Sequence, residues 1–123
     1  MKTHKDLDVW KKSVSLVTSI YEVTKTFPKD DIYGLTNQIR RSAVSIPSNM
    51  AEGSARKGEK EFIQFLYISL GSMAELETQL IIANNLKYVK LNDYELMTGR
   101  LEEIRKMIIG LIKFVKNKIR SDE

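Results

Sequence analysis

The side chains best placed to do chemistry recur at helical spacing between residues 38 and 52. Gln38, Ser45, Asn49 and Glu52 fall on one side of a 3.6-residue wheel, with Arg41 and Ser42 at its flanks. About 100° round that wheel, Ile39, Ala43, Ile46 and Met50 form an apolar seam, continued towards the N-terminus by Ile32 and Leu35. Hydrogen-bonding groups in step with a seam support two chemistries. One is contact with a ligand or nucleic acid through Arg40, Arg41, Asn49 and Lys57, because guanidinium and ammonium groups hold phosphate. The other is a structural network of Gln38, Arg41, Ser45, Asn49, Glu52 and Glu75, in which Arg41 or Arg40 pairs with Glu75 or Glu77 and sets the register of helices and subunits. Buried polar groups need such partners, and this structural reading is the favoured one. On it, Arg41→Ala disturbs assembly or stability more than any nucleic-acid binding.

Other candidate chemistry is thinner. Residues 53–60, Gly-Ser-Ala-Arg-Lys-Gly-Glu-Lys, hold two glycines separated by four residues but put Glu59 where a phosphate loop needs lysine. Gly53 and Gly58 are instead expected to supply the positive φ that ends a helix. His4 is the only histidine and is expected in a solvated N-terminal tail. Glu52, Glu75 and Glu77 are the carboxylates expected nearest a bundle interior. No Glu-x-x-His pair accompanies them, so neither a metal site nor a cofactor is expected. Cysteine is absent, which removes disulfides and thiolate chemistry. With no nucleophile–base pair, the chain is expected to be non-catalytic.

Basic residues gather late: Arg100, Arg105, Lys106, Lys113, Lys116, Lys118 and Arg120, against Glu102 and Glu103. They read either as a solvated helix face or, repeated around an oligomer, as a positive surface for phosphate backbone. Arg56, Lys57, Arg105, Lys106, Lys113 and Lys116 therefore join Arg40 and Arg41 as nucleic-acid-binding candidates. Phe114 is the lone aromatic of that late segment, so base stacking has little support and any binding is expected to be backbone-led and salt-sensitive.

These residues must be carried by helices. Leu7 to Phe27 reads as the first, with Leu7, Trp10, Val14, Val17 and Tyr21 as its bundle seam and Val9, Leu16, Ile20 and Val23 on a second apolar side. That second side packs either on another subunit or on a neighbouring helix. Asp30 and Asp31 are placed to cap a second helix, Ile32 to Ser54, bent near Pro47. The third, Glu59 to Leu86, has Phe62, Leu66, Met73, Leu76, Leu80 and Ala83 as its seam and an almost wholly apolar first half, fit for a central or shared position. Small Ser69, Gly71 and Ser72 permit close approach of another backbone. Asn92 and Glu95 have capping-box spacing for a fourth helix that runs to about Lys118, with Tyr94, Met97, Leu101, Ile104, Ile108, Leu111 and Val115 inward. Four long helices with short connections predict an all-α, antiparallel up-and-down four-helix bundle, one domain over residues 1–123.

Gln38-Ile39-Arg40-Arg41, Ser45-Ile46-Pro47-Ser48-Asn49 and Ala51-Glu52-Gly53 carry a resemblance to a known family, together with Phe62, Phe65-Leu66, Gly71-Ser72 and Glu75. It extends outwards to Leu7, Val9-Trp10, Tyr21, Phe27-Pro28 and Tyr33-Gly34-Leu35. The chain resembles the four-helix-bundle proteins encoded in intervening sequences of bacterial 23S rRNA genes, to which the accessory variability determinant of diversity-generating retroelements looks related. The resemblance implies a homopentamer and association with rRNA or another nucleic acid. In a retroelement context it also implies a reverse transcriptase as partner. The rival reading is a structural scaffold or protein-interaction module that binds no nucleic acid.

Composition agrees with a folded helical protein: 123 residues, 42% hydrophobic and 29% charged. The net charge is +4, compatible with nucleic acid but common among small proteins. No signal peptide or membrane span is evident, and the cytoplasm is the expected compartment.

Overall fold

A computed structural model describes residues 3–122. Four long helices carry the fold: α1 (Asp8–Thr24), α2 (Asn37–Ser54), α3 (Glu59–Asn85) and α4 (Leu91–Asp122). Among the described residues there is no strand. α2 and α3 make the most extensive contact; α3 packs on α4, α1 on α2, and α4 closes back on α1. Partners across the α2–α3 and α1–α4 seams run in opposite chain order. Ser45 meets Ser72 and Ile46 meets Ser69; Ser19 meets Arg100 and Lys12 meets Glu103.

The core follows the apolar periodicity. Leu16, Ile20, Ile39, Ile46, Leu66, Leu76, Met97, Ile104 and Ile108 are among its fully buried side chains. Every residue of the expected α3 seam is buried. On α1 the two apolar sides are exchanged relative to expectation. Val9, Leu16 and Ile20 lie inside, whereas Val14 and Tyr21 are 37% and 40% exposed. Both sides of α1 are apolar, so periodicity cannot tell which one turns inward. Buried Ser13 and Thr24 share the inner side because each hydroxyl donates to the carbonyl four residues earlier, Val9 and Ile20 respectively.

Several helix ends also differ from expectation. The chain enters α2 through a π-type turn, Ile32–Thr36, where Gly34 leaves helical geometry. The break thus falls at Gly34, while α2 runs unbroken through buried Pro47. Asp31 caps this entry by accepting the Leu35 N–H at 3.2 Å. A Cβ at position 34 would run into that carboxylate, so a side chain there would have to displace the cap. Neither Gly53 nor Gly58 has positive φ. Gly53 lies inside α2, where a Cβ would stand 2.6 Å from Cβ of Phe65, so it serves close helix approach instead. Gly71 faces open space, and it is Ser69 and Ser72 that are buried towards α2. The one positive φ among the described residues belongs to Lys87, at 62°. There the Lys87 N–H bonds to the carbonyl of Asn84 and the Tyr88 N–H to that of Ala83, closing α3. α4 begins at Leu91, so Asn92 lies within its first turn and is not its cap; the Tyr94 N–H bonds to the carbonyl of Lys90.

Candidate nucleic-acid interface

The polar side of α2 meets α3, where Ser45 bonds across the seam and Asn49 bonds back to Ser45. Asn49 Nδ2 donates to both the carbonyl and the Oγ of Ser45, each at 2.8 Å. The Ser45 and Ser72 hydroxyls share a hydrogen bond of 2.8 Å. Buried Ser69 donates to the Ile46 carbonyl at 2.9 Å, beside the peptide whose N–H Pro47 removes. A ladder of short side chains thus ties α2 to α3.

Farther along, the ladder opens into a polar cavity of about 370 Å³ lined by Gln38, Arg41, Ser42, Ser45, Ser72, Glu75 and Gln79. Arg41 and Glu75 both reach it, yet among the described residues no ion pair joins Arg41 or Arg40 to Glu75 or Glu77. The stability loss expected of Arg41→Ala therefore has no ion pair within this chain behind it. Arg40 turns the other way. Its Nε donates to Thr24 Oγ1 at 2.9 Å and its guanidinium lies 4.7 Å from the Tyr21 ring centre, fastening α2 to α1. Glu52, Glu75 and Glu77 are exposed, contrary to expectation. Their positions beside the buried seam lie one step too far round the helix, and Glu52 pairs with Arg56 one turn on. His4 is not a free tail residue. A 3-10 turn, His4–Asp6, capped by Thr3, sets its ring edge-on to Trp10 with centres 5.0 Å apart.

The eight basic candidates do not converge. Arg40 is engaged with α1, Arg56 with Glu52 and the Phe65 ring, and Arg105 with Glu102. The Arg105 hydrogen bond and charge hold the Glu102 carboxyl below its usual range. Lys116 donates to Tyr67 Oη at 3.0 Å. Arg41, Lys57, Lys106 and Lys113 are exposed and without an ion pair among the described residues. Lys106, Lys113 and Arg120 share one exposed side of α4 at seven-residue spacing, and no carboxylate lies between Ile104 and Ser121.

A second cavity, of about 340 Å³, lies at one end of the bundle. Sequence reasoning missed it because its wall comes from four separated stretches: Leu7, the α2–α3 turn, Phe62 at the start of α3, and residues 111–118 of α4. Among the described residues no cluster of three or more His, Cys, Asp or Glu side chains could hold a metal ion, and no helix is long and apolar enough to cross a membrane.

The fold defines an all-α four-helix bundle, with polar side chains tying its helices together and a basic outer side on its last helix. The chain belongs to the 23S rRNA-intervening sequence protein family, whose profile matches residues 5–110. Among solved structures it is similar to a protein of unknown function from the S23 ribosomal protein family of Bacteroides thetaiotaomicron VPI-5482. The two share 27% identity with a TM-score of 0.76, over 85% of this chain and 98% of that one. No curated protein matches the chain.

Proposed function

We propose that this protein is a non-catalytic, self-associating bundle that holds nucleic acid by its phosphate backbone. The observation that carries the reading is the exposed side of α4, where Lys106, Lys113 and Arg120 recur with no carboxylate between Ile104 and Ser121. At 1.5 Å rise per residue these charges are spaced about 10 Å apart, along a helix that can follow a strand. Lys116 lies beside them, held by Tyr67. Cations of this kind gain by releasing counterions from phosphate, without reading sequence. rRNA is the nucleic acid that the family's name suggests.

Fluorescence anisotropy with a labelled structured RNA, over a series of salt concentrations, tests the reading. Binding should weaken steeply with salt. Replacing Lys106 and Lys113 by alanine should weaken it further and lower the logarithmic salt slope by about 0.7–0.9 for each phosphate no longer neutralised. An unchanged slope in that double variant rules out α4 as the binding side.

Self-association is supported by the outer side of α1, where Val14 and Tyr21 stay exposed beside half-buried Trp10 and Val17. The ring of five implied by the resemblance is the proposed assembly. A protein scaffold indifferent to nucleic acid is the rival, and binding that fails at every salt concentration would favour it.

A further inference from the structure

We infer that the cavity at the end of the bundle receives one unstacked base of a single-stranded nucleic acid. The inference rests on the proposed nucleic-acid role and adds to it a preference for single strands.

The floor of the cavity is apolar, formed by Leu7, Phe62, Leu111 and Val115, with Phe114 beside them. Phe62 is buried, whereas Phe114 is 65% exposed, so a ring lies open at the cavity's edge. With its ring that exposed, Phe114 contributes little to the core. It offers a π-face to any base, whatever its identity. The rim is cationic, with Arg56, Lys57 and Lys118 against Glu59, the one carboxylate that lines it among the described residues. Glu59 is taken up by Lys118 at 3.0 Å, and its hydrogen bond and charge raise the Lys118 pKa. Arg56 is partly neutralised by Glu52, which leaves Lys57, without an ion pair among the described residues, at the mouth. An apolar ligand alone would leave these charges unused, and a bare anion would leave the floor uncovered. A nucleotide within a strand satisfies both, its base on Phe114 and its flanking phosphates towards Lys57. At about 340 Å³ the space is of small-ligand size. In duplex the base is stacked and paired, so the cavity favours single strands, loops and ends.

The test uses the full chain and a short single-stranded RNA carrying 2-aminopurine at its centre. The controls are the same strand with an abasic site at that position and the matching duplex. Wild type should alter 2-aminopurine fluorescence on binding and should bind the abasic strand more weakly. Phe114→Leu keeps an apolar side chain but removes the π-face, and it should weaken single-strand binding roughly tenfold while leaving duplex binding unchanged. Phe114→Trp should bind single strands at least as tightly as wild type. If Phe114→Leu binds both forms like wild type, or weakens both equally, the base-receiving cavity is overturned although backbone binding by α4 stands. If no RNA binds at any salt concentration, both proposals fall together.

Discussion

Lys87 carries the most informative backbone angle in the chain. It closes α3 in the left-handed region, at φ 62°, where a glycine is usual and where an L side chain costs about 1–2 kcal/mol. The position is held because the Tyr88 N–H must reach the Ala83 carbonyl, at 2.9 Å, before the chain turns into α4. Lys87→Gly should therefore raise stability by up to about 1 kcal/mol, while β-branched Lys87→Val should lower it. Urea unfolding checks this, with the midpoint moving and the slope unchanged. Gly53 and Gly58 are expected to supply positive φ and neither does, because residue type signals where positive φ is easy and not where geometry demands it. A second residue-scale prediction concerns Glu103, whose carboxyl is held below its ordinary 4.5 by the hydrogen bond and charge of Lys12. A lowered folded pKa means the pair's contribution is full above about pH 4.5 and is lost as pH falls through the lower folded value. Lys12→Ala should accordingly melt slightly below wild type at neutral pH, with the gap closing in acid. Both side chains are more than half exposed, so the gap will be small. Thermal melts of the two proteins at matched pH values decide it, and a gap that persists in strong acid would exclude the ion pair as its cause.

At the scale of elements, most of the architecture was legible and the facing of α1 was not. Helices α2 and α4 each have one continuous apolar line, and the seam of α3, though its first half is apolar nearly all round, continues into the second. Ile39, Ala43, Ile46, Met50, Leu66, Leu76, Met97 and Ile104 are buried accordingly. α1 has two such lines, and burial of Ser13 and Thr24 on the inner one hid it, since hydroxyls bonded to their own helix look polar in sequence. Spacing put Ser45 and Asn49 on the polar side of α2, but the partner of Arg40 depended on side-chain direction, which spacing leaves open. Gly53 tests the tightest approach between elements. The Cβ of an alanine there would meet Cβ of Phe65 at 2.6 Å and Cδ1 of Phe62 at 3.2 Å. Phe65 Cβ is fixed to its backbone, so α2 and α3 would have to separate. Overpacking of this kind costs about 1–3 kcal/mol, against about 1 kcal/mol returned by alanine's helix preference. Gly53→Ala should thus destabilise by up to about 2 kcal/mol. Gly110→Ala on α4, where the added Cβ meets nothing within 4 Å, should stabilise by up to about 1 kcal/mol. Chemical denaturation of the pair checks the opposite signs, and two stabilised variants would mean that α2 and α3 pack more loosely than described.

At the scale of the whole molecule, the proposed ring places a demand on the surface that a dimer does not. A ring of five is built from one heterologous interface, so each subunit must present two different patches, one for each neighbour. The outer line of α1, with Val14 and Tyr21, is one candidate; the exposed Ile81 and Ile82 near the end of α3 provide a second on a different helix. Neither Val14 nor Ile82 belongs to the buried core, so a charge at either position should leave the bundle folded while spoiling one patch. Val14→Asp and Ile82→Asp should each lower the mass measured by light scattering with the helical circular dichroism preserved. The mixture is the sharper test. Each variant keeps the patch that the other lacks, so an equimolar mixture can form one sound interface and no more, and it should stop at a heterodimer. A self-complementary interface, with the same patch on both sides, would leave at least one variant at wild-type mass. Recovery of the full assembly on mixing would likewise mean that these two patches are not the two sides of one interface.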